Sequence, residues 1–180
     1  MSDFLSSIRQ QLKDQKDLPP VHLWEPEFCG DIDIRIASNG DWFHNGGKIH
    51  RQGLVNLLAS VLRKDDDEYF LVTPVEKMRI QVDDLPLQII DFTLLNDAHH
   101  QQQIIVTTNT DRQFSVNQAQ SIEVTVDNSN QPVPVVHLPN GIDGKIQRAV
   151  FYRLVDVAVE REGQLMVSSE QQWFSLGDIN

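Results

Sequence analysis

Two short basic phrases hold the residues best suited to chemistry in this sequence: Gly47-Lys48-Ile49-His50-Arg51 and Gly144-Lys145-Ile146-Gln147-Arg148. Each runs into an apolar stripe at helical spacing, Leu54, Leu57, Leu58, Val61 and Leu62 after the first, and Phe151, Leu154, Val155, Ala158 and Val159 after the second. The spacing predicts helices over about 51–62 and 143–160. A helix N-terminus carries unpaired N–H groups and a partial positive charge, so Lys48 and Arg51, like Lys145 and Arg148, need an anion nearby. One source is internal. Asp33 and Glu123 hold equivalent places in the strands Ile32-Asp33-Ile34-Arg35-Ile36 and Ile122-Glu123-Val124-Thr125-Val126, where they are placed to pair with Arg51 and Arg148. The other source is a ligand phosphate or carboxylate, which such helix starts bind readily. If the two starts meet across a shared cleft, four cations converge on a small anion.

Other reactive side chains offer less. Glu76, in Thr73-Pro74-Val75-Glu76-Lys77, follows a buried strand and is placed for general-base work, but no partner with a displaced pKa stands beside it in sequence. Trp24, Trp42 and Tyr152 are candidates to stack on a base or to fill a core. His99-His100 is a poor metal pair, because neighbouring side chains on a strand point oppositely. No metal or cofactor is expected. Cys29, the single cysteine, reads as a buried inert thiol. The phosphate-binding, zinc-protease, serine-hydrolase and CxxC motifs are all absent, so nucleophile chemistry has no recognisable setting.

The elements that must position these residues are legible from periodicity. Ser2 caps a leading helix with Phe4, Leu5, Ile8 and Leu12 on one face, ending before Pro19-Pro20. Residues 31–37 alternate strictly, Asn39-Gly40 turns the chain, and Trp42-Phe43 begins the return strand. Further strands are expected at 69–73, 78–82, 87–95, 104–108, 114–117, 133–138, 165–168 and 173–176. The run 64–68 reads as a solvated loop and 74–77 as a turn. The result is an α+β chain with an internally duplicated hairpin-helix-hairpin unit and extra strands before the second copy. Its expected division is 1–84, the leading helix and first repeat, and 85–180, the second repeat.

Composition narrows the partners. A net charge of −11 over 180 residues speaks against a nucleic-acid polymer, which needs clustered Lys and Arg, and leaves room for a single nucleotide. No run approaches the roughly 20 apolar residues of a membrane span, and the N-terminus lacks a signal-peptide pattern. With one cysteine and no intrachain disulfide, a cytoplasmic location and no membrane partner are expected.

The run Cys29-Gly30-Asp31-Ile32-Asp33-Ile34-Arg35-Ile36, with Gly40, Trp42-Phe43, Ile49, Arg51, Leu54-Val55 and Leu71-Val72-Thr73-Pro74-Val75-Glu76-Lys77, resembles a bacterial family, domain-of-unknown-function family 1285. The likeness continues through Arg79-Ile80, Thr108-Asn109, Arg148, Tyr152-Arg153-Leu154 and Phe174-Ser175-Leu176-Gly177. The resemblance implies a core built by domain duplication, a second half loosely similar to pleckstrin-homology-like structures, and a nucleotide-type ligand between the halves with a signalling role. Its motif positions are Asp33, Arg35, Trp42, Arg51, Thr73, Glu76 and Arg148. Together these readings point to a non-enzymatic binding or sensor protein for a small anionic, nucleotide-like ligand, held by Arg35, Trp42, Lys48, Arg51, Thr73, Glu76, Lys145 and Arg148. The alternatives are a hydrolase or transferase using Glu76 or Asp33 as base, and a structural module for an unspecified protein partner.

Overall fold

Alternating apolar residues and closely spaced turns make most of this chain sheet. The computed structural model describes Ser6, Ile8 and residues 18–96 and 101–179. Two compact units are present, Met1–Pro86 with Asn140–Ile142, and Leu87–Pro139 with Asp143–Asn180.

In the first unit, β1 (Phe28–Ile36), β2 (Trp42–His44) and β3 (Gly47–Lys48) are consecutive neighbours, followed by α1 (Gln52–Ser60) and then by β4 (Leu62–Asp65), β5 (Glu68–Val72) and β6 (Lys77–Val82). Ile32, Ile34 and Ile36 of β1 point into the core. The β1–β2 loop is closed by Ala37 N–H to Asp41 at 2.9 Å and Gly40 N–H to Ala37 at 2.8 Å, so the turn spans three residues and not the expected two. Asn45 and Gly46, both at positive φ, make the two-residue turn into β3. The sheet order is β3-β2-β1-β6-β5-β4, antiparallel except for the central parallel pair β1 and β6.

The second unit repeats that plan. β7 (Leu87–Asn96), β8 (Gln102–Thr108) and β9 (Gln113–Ser115) are followed by β10 (Ile122–Val126), β11 (Pro132–Leu138) and β12 (Ile142–Ile146). Read from β9, the order is β9-β8-β7-β12-β11-β10, again with one central parallel pair, β7 and β12. Then come α2 (Arg148–Asp156) and a three-stranded sheet of β13 (Val159–Arg161), β14 (Gln164–Ser169) and β15 (Gln172–Asp178). The architecture is thus mostly sheet, with two similar six-stranded sheets that point to internal duplication and two α-helices of at least one full turn among the described residues.

Several expectations need correction. Both core helices are shorter than their apolar runs, because Leu62 and Ile142–Ile146 enter strands whose ladders satisfy the backbone just as a helix would. Lys48 and Lys145 therefore lie on β3 and β12, and only Arg51, the residue before α1, and Arg148, its first residue in α2, stand at helix starts. Residues 62–65, expected in a helix end and a loop, are strand β4. Cys29 is exposed, not buried, and its thiol donates to the Glu27 carbonyl. Of the leading helix, Ser6 and Ile8 are helical and Ile8 is fully buried, while Ser2, Phe4, Leu5 and Leu12 lie outside the described residues, as do His99 and His100.

Candidate functional site

Arg148 opens α2 straight after β12, and Lys145 sits on β12 three positions earlier, so a strand end and a helix start bring both cations to one place. They line a cavity of about 250 Å³ together with Phe151 and Tyr152 of α2. Pro132, at the start of β11, and Asp127, in the loop before it, close the other side. Asp127 is itself fixed, its Oδ1 accepting N–H bonds from Ser129 and Gln131 at 2.8 and 2.9 Å. The Gln147 side chain does not cap α2, and no acid stands in its first turn. The helix start therefore keeps its positive character.

Tyr152 is available because of how α2 packs. Val150, Phe151 and Leu154 are its buried residues, whereas α1 buries Val55 and Leu58, the counterparts of Tyr152 and Val155. The buried face is thus turned by about one residue, roughly 100°, between the copies, and Tyr152 is 56% exposed.

The internal ion pairs expected for Arg51 and Arg148 do not form. Glu123 is taken by His137, and neither arginine has an ion pair among the described residues. Both are exposed. A row that periodicity did not reveal replaces the pairing: Glu123 on β10, His137 on β11 and Asp143 on β12, with His137 Nε2 2.8 Å from Glu123 and Nδ1 2.7 Å from Asp143. Burial pushes the imidazole pKa down, but the two carboxylates outweigh it and hold the pKa above its ordinary value. The signal that could have found this row is three polar residues at outward-alternating strand positions, each beside a buried neighbour, readable only once the strand neighbours are known.

Of the first-unit candidates, Lys48, Arg35, Thr73, Glu76 and Trp42 are engaged locally. Lys48 Nζ lies 2.8 Å from Asp41, closing the β2–β3 ribbon, and the hydrogen bond holds the Asp41 carboxyl below its usual range. Arg35 grips Asp83 with two bonds, at 2.9 and 2.5 Å, and lies over the Phe43 ring. Thr73 is buried, and its hydroxyl accepts the Glu76 N–H at 3.0 Å, so it builds the turn between β5 and β6. Glu76 contributes its backbone to that same turn. Trp42 is 1% exposed and packs in the core, with no face left for a base. Asp33 is exposed on β1 and makes no ion pair among the described residues. Those residues also hold no cluster able to ligate a metal, and no helix long and apolar enough to cross a membrane.

Comparison with family models places the description "Domain of unknown function (DUF1285), N-terminal domain" on residues 19–85 and "Protein of unknown function (DUF1285), C-terminal domain" on residues 86–176. The chain belongs to the DUF1285 family. A crystal structure of a DUF1285 family protein from Silicibacter pomeroyi DSS-3 is 34% identical and superposes with a TM-score of 0.84, covering 96% of this chain and 95% of that one. A DUF1285 family protein from Shewanella baltica OS155 is 32% identical, with a TM-score of 0.55, covering 68% of this chain and 90% of that one. No curated protein matches. Within DUF1285, the boundary between the two family models at 85/86 falls at the end of the first six-stranded sheet of this chain.

Proposed function

We propose that this chain is a non-enzymatic ligand-binding or sensor protein whose ligand is a small nucleotide-like anion, bound in the second unit by Lys145 and Arg148. The observation that carries the reading is that these two cations, an uncapped helix start and the exposed Tyr152 ring share one cavity. The cations and the first N–H groups of α2 would take the phosphate, and the aromatic ring would stack on a base. Asp127 offers an acceptor for a ligand hydroxyl or amine. At about 250 Å³ the cavity falls below the roughly 300–1,000 Å³ of drug-sized sites, which favours a phosphate or nucleoside monophosphate over a dinucleotide. The net charge of −11 fits a single small anion better than a nucleic-acid polymer. On this reading the second unit, a six-stranded sheet, α2 and a three-stranded sheet, is a loosely pleckstrin-homology-like scaffold, the location is cytoplasmic, and ligand occupancy is the signal passed to a partner.

The test is thermal denaturation and calorimetric titration with inorganic phosphate, the four ribonucleoside monophosphates and the matching nucleosides. A monophosphate at a hundred times its Kd should stabilise the protein by about 2.7 kcal/mol, and the nucleoside should not. The absence of a shift with every phosphate, or an equal shift with the phosphate-free nucleosides, overturns the reading.

A further inference from the structure

The cavity that Lys145 and Arg148 line also holds a carboxylate, and that carboxylate is tied in place by only one of its oxygens. Asp127 opens the loop 127–131 between β10 and β11. Its backbone N–H donates to the Gln131 carbonyl at 2.9 Å, and its Oδ1 accepts the N–H groups of Ser129 and Gln131 at 2.8 and 2.9 Å. Asn130, at positive φ, completes the turn. The side chain is thus committed to its own loop and is not free to swing over and neutralise Arg148. It makes no ion pair among the described residues, and Oδ2 has no protein partner among them.

The cavity therefore has two chemically opposite poles. Lys145, Arg148 and the first N–H groups of α2 make a pole of donors. Asp127, ionised at neutral pH, can only accept. Gln131, which also lines the cavity, carries a donor and an acceptor alike and so discriminates little. Along α2, Arg148 and Tyr152 stand four residues apart on one face, which sets the ring about 5.4 Å, one helical turn, beyond the guanidinium. With a phosphate on Arg148, a single sugar spans that turn and lays a base on the ring.

Resting on the anion-site reading above, we propose that Asp127 is the specificity-determining residue of this cavity and selects nucleotides whose base carries an exocyclic amine. The amine projects beyond the ring edge and gives Oδ2 a charge-assisted hydrogen bond. The ring N–H of uracil is recessed between two carbonyl oxygens, which meet the carboxylate first and set acceptor against acceptor. A site built to bond a donor rejects an analogue that lacks it, because its own acceptor is then left unpaired.

The test is calorimetric titration of the whole protein with inorganic phosphate and with two pairs of monophosphates. Adenosine against purine riboside monophosphate deletes the amine, and cytidine against uridine monophosphate exchanges it for a carbonyl. The amine-bearing member of each pair should bind about tenfold more tightly. Asp127→Asn keeps Oδ1 for the two loop N–H groups and turns the other position into an NH2 donor. In that variant the adenosine preference should vanish and the cytidine preference should reverse, while inorganic phosphate binds at least as well as before. Equal affinities within both pairs overturn this proposal alone, as do preferences that survive unchanged in Asp127→Asn. Failure of inorganic phosphate and of every monophosphate to bind overturns the anion site as well.

Discussion

The carboxylate of Glu123 lies 2.8 Å from Nε2 of His137. Strand alignment alone pairs Glu123 with Arg148; the sheet instead puts β11 beside β10, and the imidazole on β11 reaches the carboxylate first. Arg148 is left without an internal counter-ion among the described residues, and this is what makes it a ligand-binding candidate.

Stability should fall as pH rises through neutrality. His137 titrates higher when folded than its ordinary value of about 6.5, so its protonated form is favoured by folding. Its contribution is complete below about 6.5 and is lost as pH passes upward through the raised folded value. Urea unfolding at pH 6 and pH 9 should show this loss in the native chain and a flatter profile in His137→Gln. The same slope in both proteins would remove His137 as the cause.

The two copies of the basic phrase should respond differently to truncation. Arg148→Ala removes a charge-assisted contact worth about 1.5–3 kcal/mol, so monophosphate affinity should drop roughly tenfold or more. Arg51→Ala, in the first unit and outside that cavity, should leave the affinity unchanged. Titration calorimetry of both variants decides it, and equal losses would contradict the assignment to one copy.

Gly144 and Gly47 occupy the same place in the two phrases but not in the fold. A Cβ on Gly144 would stand 2.7 Å from Ile89 Cδ1 and 3.3 Å from Leu138 Cδ1, whereas one on Gly47 meets only the His44 carbonyl at 3.5 Å. Gly144→Ala should therefore cost about 1–3 kcal/mol by overpacking. Gly47→Ala, on an exposed ribbon, should change the urea midpoint little.

Arg63 anchors the segment before β1. Its guanidinium, buried to 7% exposure, donates to the carbonyls of Val21 and Trp24 at 3.2 and 2.6 Å and to Asp65 at 2.8 Å. Burial alone would raise the Asp65 carboxyl, but its bonds to Arg63 and Lys77 hold it below the ordinary range. Removing the guanidinium leaves the Trp24 carbonyl without its donor and Asp65 with Lys77 alone, so Arg63→Met should cost about 2 kcal/mol. Hydrogen exchange should quicken over Val21–Trp24 in the same variant; unchanged exchange there would refute the tether.

Local pattern carried much of the chain. The alternation of Ile32, Ile34 and Ile36 predicted β1, and the apolar runs at 69–73, 78–82, 104–108, 133–138 and 165–168 are all strands. The strands that pattern missed, β3 and β4 around α1 and β12 and β13 around α2, sit at the helix ends. Leu62 and Ile146 continue a helical spacing and are equally good strand residues, so only a neighbouring strand with free backbone groups decides between the two states. The site divided in the same way. Lys145 and Arg148 were visible as cations at unusual places, while their union with Tyr152 depended on which face α2 buries.

The sequence by itself determined the strand periodicity, the repeated basic phrase and the family likeness, because each depends on residues that are neighbours along the chain. Only the tertiary structure decided that β12 pairs with β7, that β10 and β15 end different sheets, and that His137 takes Glu123. Those outcomes depend on which distant backbone edges meet, and alternation within a strand carries no information about the strand beside it.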